Sequence, residues 1–269
     1  MTTVASTPEV SVVEHGFRAM NTEHHLLIVG GTQELAAQAE QTVHRCEQRW
    51  SRFLADSELT RLNDASGRPV IVAPETYDLI DAAVEAFHQT DGVFDPTVLR
   101  CMVDAGYTRS FELIGGAPGP TPTGVRPAPT PSGIEFFPAI HAIRLPPDVG
   151  LDLGGIAKGA TADLVAEELL MSGADGCCVN VGGDVAVRGR GPVDGGWHVQ
   201  LECPGADERR AVHLAEGAVC TSTILKRQWG RSHRQHHLRF RMVEVHTAPS
   251  ARWTARRSSA PGHSSWTCH

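Results

Sequence analysis

Leu151-Asp152-Leu153-Gly154-Gly155-Ile156-Ala157-Lys158-Gly159-Ala160-Thr161-Ala162-Asp163 decides how the rest of this 269-residue chain is read. An apolar start, two adjacent glycines and then Ala162, Val165, Leu169 and Leu170 on one side predict a strand that turns into an amphipathic helix. Small residues at such a turn let backbone approach a ligand, and the start of a helix favours anions. Lys158, one of only two lysines in the chain beside Lys226, adds a fixed positive charge. The run therefore points to a site for a phosphorylated ligand, with a purely structural Gly-Gly turn as the alternative. It is not a Walker loop, because Lys158 precedes its glycine and the spacing of the two loop glycines is absent. The dinucleotide fingerprint fails on spacing as well.

Upstream, Phe17 to Gly30 is apolar but broken at Met20-Asn21-Thr22, which predicts two short strands or one bent strand. Leu35, Ala39, Val43, Cys46, Trp50 and Phe53 recur at steps of three and four, so residues 33 to 53 are expected to form a helix with one buried face. A second helix is expected over 75 to 90 through Thr76, Ile80, Ala83, Val84 and Phe87, with Pro74 at its first turn. Six prolines between 117 and 132 suggest an extended connection between two lobes. Downstream, strands are expected at 142–145, 179–187, 197–201 and 218–222, with Gly182-Gly183-Asp184 interrupting the second as a bulge or a ligand approach. The pattern is mixed α and β, without an internal repeat.

A net charge of −7 argues against broad binding to nucleic acid, and no apolar run reaches the ~18 residues of a membrane span. The first 25 residues show neither a signal peptide nor a cysteine placed for lipid attachment, so a cytoplasmic protein is expected. Seven cysteines without a CxxC pair favour reduced thiols over a disulfide framework or a zinc site.

Several segments now line up in order. They are Met20-Asn21-Thr22, Asp56-Ser57-Glu58 with Leu62-Asn63, Gly92-Val93-Phe94-Asp95-Pro96-Thr97-Val98, Asp152 to Gly159, Val179-Asn180-Val181-Gly182-Gly183-Asp184, and Ala218-Val219-Cys220-Thr221-Ser222. Together, over roughly residues 15 to 238, this set resembles the ApbE family, the FAD:protein FMN transferases. The resemblance implies an α+β, two-lobed, T-fold-like architecture with its active site in the cleft between lobes. It also implies FAD as substrate, a magnesium ion on its pyrophosphate, and an acceptor flavoprotein whose threonine hydroxyl takes the FMN while AMP leaves. Position by position, Met20, Phe53, Val93, Phe94, Asp95, Asp152, Lys158 and Leu238 would contact the flavin nucleotide, and the Gly155 carbonyl would bind magnesium. Lys158 would also serve the chemistry, and His237 would take the threonine proton. Asn180 and Asp184 are read as architecture beside the site.

Without the resemblance, Met20, Phe53 and Phe94 read as core residues, and His233, His236 and His237 as an arginine-flanked solvated loop. Two other functions stay open: FAD hydrolysis to FMN and AMP, and a non-catalytic FAD-binding remnant.

The match breaks after Leu238, where the family's Asp-Pro-x-Thr-Gly is absent. Residues 239–269 carry five arginines and one glutamate, a net +4 that leaves −11 for residues 1–238 within the chain's −7. This tail shows neither helical nor strand periodicity and reads as a disordered, aberrant end to an ApbE-like domain spanning 1–238. A shift of reading frame near codon 238 accounts for the abrupt change, with a basic arm for an acidic partner as the alternative. The shift predicts that a neighbouring frame of the coding DNA continues past codon 238 with Asp-Pro-x-Thr-Gly and a later aspartate. If neither neighbouring frame does so, the shift did not happen.

Overall fold

The computed structural model describes residues 11–114, 128–192, 196–201 and 210–221, together with short strands further on. Elements in chain order are β1 Val12–Ala19, β2 Thr22–Val29, α1 Gln33–Trp50, α2 Glu58–Asn63, β3 Val70–Ile71, α3 Pro74–Gln89, α4 Leu99–Asp104, α5 Phe111–Ile114, β4 Glu135–Phe137, β5 Ala142–Arg144, α6 Ala157–Met171, β6 Gly176–Val181, β7 Asp184–Gly189, β8 Trp197–Leu201, β9 Arg210–Leu214 and β10 Gly217–Thr221. The later strands are β11 Gln228–Trp229, β12 His236–His237, β13 Val243–His246, β14 Ala255–Arg257 and β15 Trp266–Cys268. The fold is α+β, as expected. Residues 115–127, which hold most of the proline-rich connection, lie outside the described residues.

The main sheet has six strands in the order β1-β2-β6-β7-β10-β13, with every pairing antiparallel. Alternation sets its faces. Leu26 and Ile28 on β2, with Cys177, Val179 and Val181 on β6, meet Ala36, Ala39 and Val43 of α1 and Ala162, Val165 and Leu169 of α6 in one core. Val29, Val185, Val187 and Val219 belong to another core, which Trp197 and Leu214 of the separate β8-β9 hairpin close. Burial pushes the thiols of Cys46 and Cys177 up to about 11 and about 12, so both are packing residues in the sense of inert free thiols.

A further core lies at the other end of the two long helices. Cys46 and Trp50 of α1 and Ala157 of α6 pack there with Leu59, Leu62, Leu79, Ile80, Ile143, Leu145, Leu151 and Leu153. The three-stranded sheet β3-β5-β4 carries Ile143 into it. Helices α1 and α6 thus run through both lobes. Among the described residues, no helix is long and apolar enough to cross a membrane.

Four features depart from the expectations. Helix α1 stops at Trp50, because Ser51 takes an extended conformation (φ −78°, ψ 120°), so Phe53 leaves the buried helical face for a loop where it is 36% exposed. On α3, Leu79 is buried with Thr76, Ile80 and Ala83, whereas Val84 and Phe87 are only half-buried. Gly182-Gly183 is neither a bulge nor an interruption within one strand. Both residues have positive φ (61° and 99°) and form the two-residue connection of the β6-β7 hairpin, with Val181 opposite Asp184. A Cβ on Gly182 would lie 2.5 Å from the Thr22 methyl group, so only glycine fits there. The tail, read as lacking strand periodicity, supplies β13 to the open edge of β10, with Val243 opposite Thr221. Backbone pairing to an exposed edge does not require alternation of side chains.

Asn63 closes the second lobe by acting as a substitute strand. Its Oδ1 accepts from the Leu151 N–H at 2.8 Å and its Nδ2 donates to the Leu151 carbonyl at 3.0 Å. Replacing Asn63 with alanine leaves both backbone groups of a fully buried residue unpaired, and should destabilise the protein by about 2 kcal/mol in urea unfolding. An unchanged midpoint would contradict this role.

His24 is 2% exposed; its Nε2 donates to the Ala19 carbonyl at 2.9 Å, while Nδ1 is the one buried side-chain polar atom without a partner among the described residues. Phe17 stacks on its ring, and Glu47 and His44 of α1 and Lys158 of α6 act on its charge. Burial holds its pKa below the usual 6.5. The unfolded chain therefore takes up the proton more readily, so this stabilising contribution is present above about pH 6.5 and is lost as the pH falls through the folded value. Melting temperature should drop more between about pH 7.5 and about pH 5.5 in the wild type than in His24→Leu. Equal drops would exclude His24 as the source.

Candidate active site at the meeting of the FDPT loop and the lysine turn

The β1-β2 turn is made by Met20 and Asn21, both with positive φ (48° and 56°). Their left-handed conformation suits a two-residue hairpin, but it costs a methionine about 1 kcal/mol and so must be held from outside. The Met20 N–H donates to Glu47 Oε1 at 2.8 Å, and Asn21 Nδ2 donates to Ser110 Oγ at 2.6 Å. The Met20 side chain packs against the cores of both lobes. The turn is thereby pinned between α1 and the segment that precedes α5.

The FDPT loop leaves α3 through Thr90, whose hydroxyl donates to the Ala86 carbonyl and accepts from the Phe94 N–H at 3.0 Å. Asp91 and Gly92 reverse the chain with positive φ. Phe94 packs on the second core, whereas Val93 is 53% exposed. Asp95 Oδ1 accepts from both the N–H and the hydroxyl of Thr97, at 2.8 and 2.7 Å, so this carboxylate shapes the loop.

The lysine turn lies directly alongside. The Asp152 N–H donates to the Pro96 carbonyl at 2.8 Å and joins the two motifs backbone to backbone. Leu151 and Leu153 point into the core, and alternation turns Asp152 between them the other way. Asp152 Oδ1 accepts from the Gly154 N–H at 2.8 Å, and Oδ2 forms an ion pair with Arg52 Nε at 2.6 Å. The expected strand before the turn is absent: residues 151–153 have no regular secondary structure, residues 154–156 are a turn, and α6 then starts at Ala157 without a side-chain cap or an acidic residue in its first turn. The positive end of the helix dipole is left uncompensated from within the helix.

Lys158, in that first turn, is mostly buried and places Nζ 3.6 Å from Asp184 Oδ2 at the start of β7. Asn180 Oδ1 accepts from the Gly183 N–H at 2.9 Å and fixes the β6-β7 turn that presents Asp184. Deeper along α6, burial raises the Asp163 pKa despite the Arg188 guanidinium 2.8 Å away. That pair braces the helix against β7.

Of the residues expected at the site, the loop carrying Val93, Phe94 and Asp95 adjoins the turn carrying Asp152, Gly155 and Lys158. Met20 sits where the two cores meet. Phe53 reaches the same region by a different route: its ring lies 5.7 Å from that of Tyr107, and Arg52 covers both rings. His237 pairs through its backbone with Gln228 in a separate two-stranded sheet, and its side chain and the whole of Leu238 lie outside the described residues. Gly155 is exposed within its turn, which suits a carbonyl offered to a hard cation. Among the described residues, no group of three or more His, Cys, Asp and Glu side chains converges to hold a metal. Arg52, Tyr107, Glu47 and Ser110 were not expected. No periodicity or motif marks which of the chain's 22 arginines meets Asp152, because the pairing spans a hundred residues of sequence.

Comparison with known proteins gives this geometry a lineage. The chain is 25% identical over 206 residues to the FAD:protein FMN transferase of Vibrio cholerae, covering 72% of this chain and 59% of that protein. Against the FAD:protein FMN transferase of Haemophilus influenzae it is 24% identical over 229 residues, covering 78% and 64%. The chain spans 59 to 65% of the length of the curated relatives it matches. The fold matches that of the ApbE protein of Thermotoga maritima with a TM-score of 0.70, at 24% identity and over 84% of this chain and 75% of that one. The flavin transferase ApbE of Vibrio cholerae superposes with a TM-score of 0.65, at 21% identity and over 79% and 72%. The ApbE family model itself matches residues 20–239, and the chain belongs to that family.

Proposed function

We propose that this protein is an FAD:protein FMN transferase, moving FMN from FAD to a threonine hydroxyl of an acceptor flavoprotein. The observation that carries this reading is the backbone hydrogen bond from Asp152 to Pro96, which sets the FDPT loop beside the lysine turn. The names of the relatives support the same chemistry.

In the reaction, the threonine oxygen attacks the FMN phosphorus of FAD, the bond to the AMP phosphate breaks, and AMP leaves. Attack on a pyrophosphate requires growing negative charge to be met by fixed positive charge. Lys158 and the start of α6 supply it, and Asp184 holds the ammonium in place until the phosphates arrive. Magnesium, when bound, would neutralise the same pyrophosphate, with the Gly155 carbonyl as a protein ligand. Met20, Phe53, Val93 and Phe94 would line the apolar part of the nucleotide, with Asp95 and Asp152 setting backbone geometry around it. His237 would receive the threonine proton, and Leu238 would complete the flavin contacts.

Incubating the protein with FAD, Mg2+ and an acceptor domain bearing the target threonine should give a covalently fluorescent acceptor and one AMP per flavin transferred. Lys158→Gln should lower the rate by about a hundredfold or more, because it removes the fixed cation from the charge-developing centre. AMP released at the same rate without an acceptor would show hydrolysis instead. FAD uptake with no AMP at all would show a binding protein.

A further inference from the structure

We propose that Arg52 is a positioning residue for the nucleotide site, a strut that sets the Asp152 carboxylate and the Phe53-Tyr107 wall in one step. The proposal rests on the FAD reading above and deepens it.

Arg52 is the second residue after helix α1, and the extended Ser51 turns it back toward the lysine turn. Its side chain is only 8% exposed and that of Asp152 12%, so water competes little for the ion pair of 2.6 Å between Nε and Oδ2. On the other side, an Nη donates to the Tyr107 carbonyl at 2.9 Å. The central carbon of the guanidinium lies 4.2 Å from the centre of the Phe53 ring and 4.5 Å from that of Tyr107. One side chain therefore ties together the loop after α1, the segment after α4 and the start of the lysine turn.

The Asp152 carboxylate is held at both ends, by Gly154 N–H on Oδ1 and Arg52 on Oδ2, while its own N–H is committed to Pro96. Without Arg52, one oxygen of a mostly buried carboxylate loses its counter-charge, and Asp152 has reason to swing toward whatever cation is available. The Gly154-Gly155 turn moves with it, through the Gly154 hydrogen bond. Lysine cannot replace this arrangement. An ammonium keeps the charge, but it lacks the fork that pairs with the Asp152 carboxylate through Nε, donates to the Tyr107 carbonyl through an Nη and lies over two rings at once.

The test uses the full chain, with FAD binding read by flavin fluorescence and transfer read in the acceptor assay. Arg52→Lys should raise both the Kd and the KM for FAD by about tenfold while kcat changes by less than about threefold, with the melting temperature retained. In Arg52→Ala, guanidinium added at millimolar concentration should restore binding, whereas methylammonium should not. Because the two residues act as one unit, Asp152→Asn should cost little further binding in an Arg52→Lys background. A wild-type Kd in Arg52→Lys, or losses that multiply in the double variant, would overturn the proposal alone. A wild-type chain that takes up no FAD would overturn the flavin reading and this proposal with it.

Discussion

The hydrogen bond from the Asp152 amide to the Pro96 carbonyl is the constraint on which this molecule's site depends. It is a single backbone contact at 2.8 Å between segments more than fifty residues apart, and each segment is rigid for its own reasons. The FDPT loop is closed by Asp95 on Thr97 and by Thr90 on Phe94. The lysine turn is anchored by Leu151 and Leu153 in the core and by Asn63 along the Leu151 backbone. Two preformed loops joined at one point leave little conformational freedom to lose when a ligand arrives.

That rigidity is inherited from the helices. Because α1 and α6 each contribute to two cores, a shift of one lobe against the other would disturb packing at both ends of both helices. Met20 lies across the same seam, held in a conformation that methionine rarely adopts by a hydrogen bond to Glu47. Strain of this kind persists only where the surroundings over-determine it, and it clusters at functional sites. The positive charge of Lys158 then enters a frame that is already set, paired with Asp184 across the β6-β7 turn.

Much of this was legible in the sequence, and the failures share a cause. The apolar spacing of α1 and α3 marks helices because burial imposes a 3.6-residue period, whereas α6 is covered on more than one side, with Gly159, Thr161, Ala162, Val165, Ala166 and Leu169 all buried; the order of the short motifs indicated which loops belong together. Local pattern does not show where a helix yields to tertiary contacts. Phe53 fits the α1 period, yet the chain turns at Ser51 so that Arg52 can reach Asp152. Gly182-Gly183 announces positive φ, but bulge and hairpin share that signature until the register of β6 against β7 is known. The buried imidazole of His24, the pairing of Arg52 and the addition of β13 to β10 are long-range events with no local trace.

Hydrogen exchange of the backbone amides, followed by mass spectrometry with and without FAD and Mg2+, tests the central claim most directly. If the FDPT loop and the lysine turn grip one nucleotide together, peptides covering 93–98 and 152–159 should both slow on adding FAD, in parallel across a titration. Slowing of only one of these segments, or protection confined to a different face of the protein, would contradict the account.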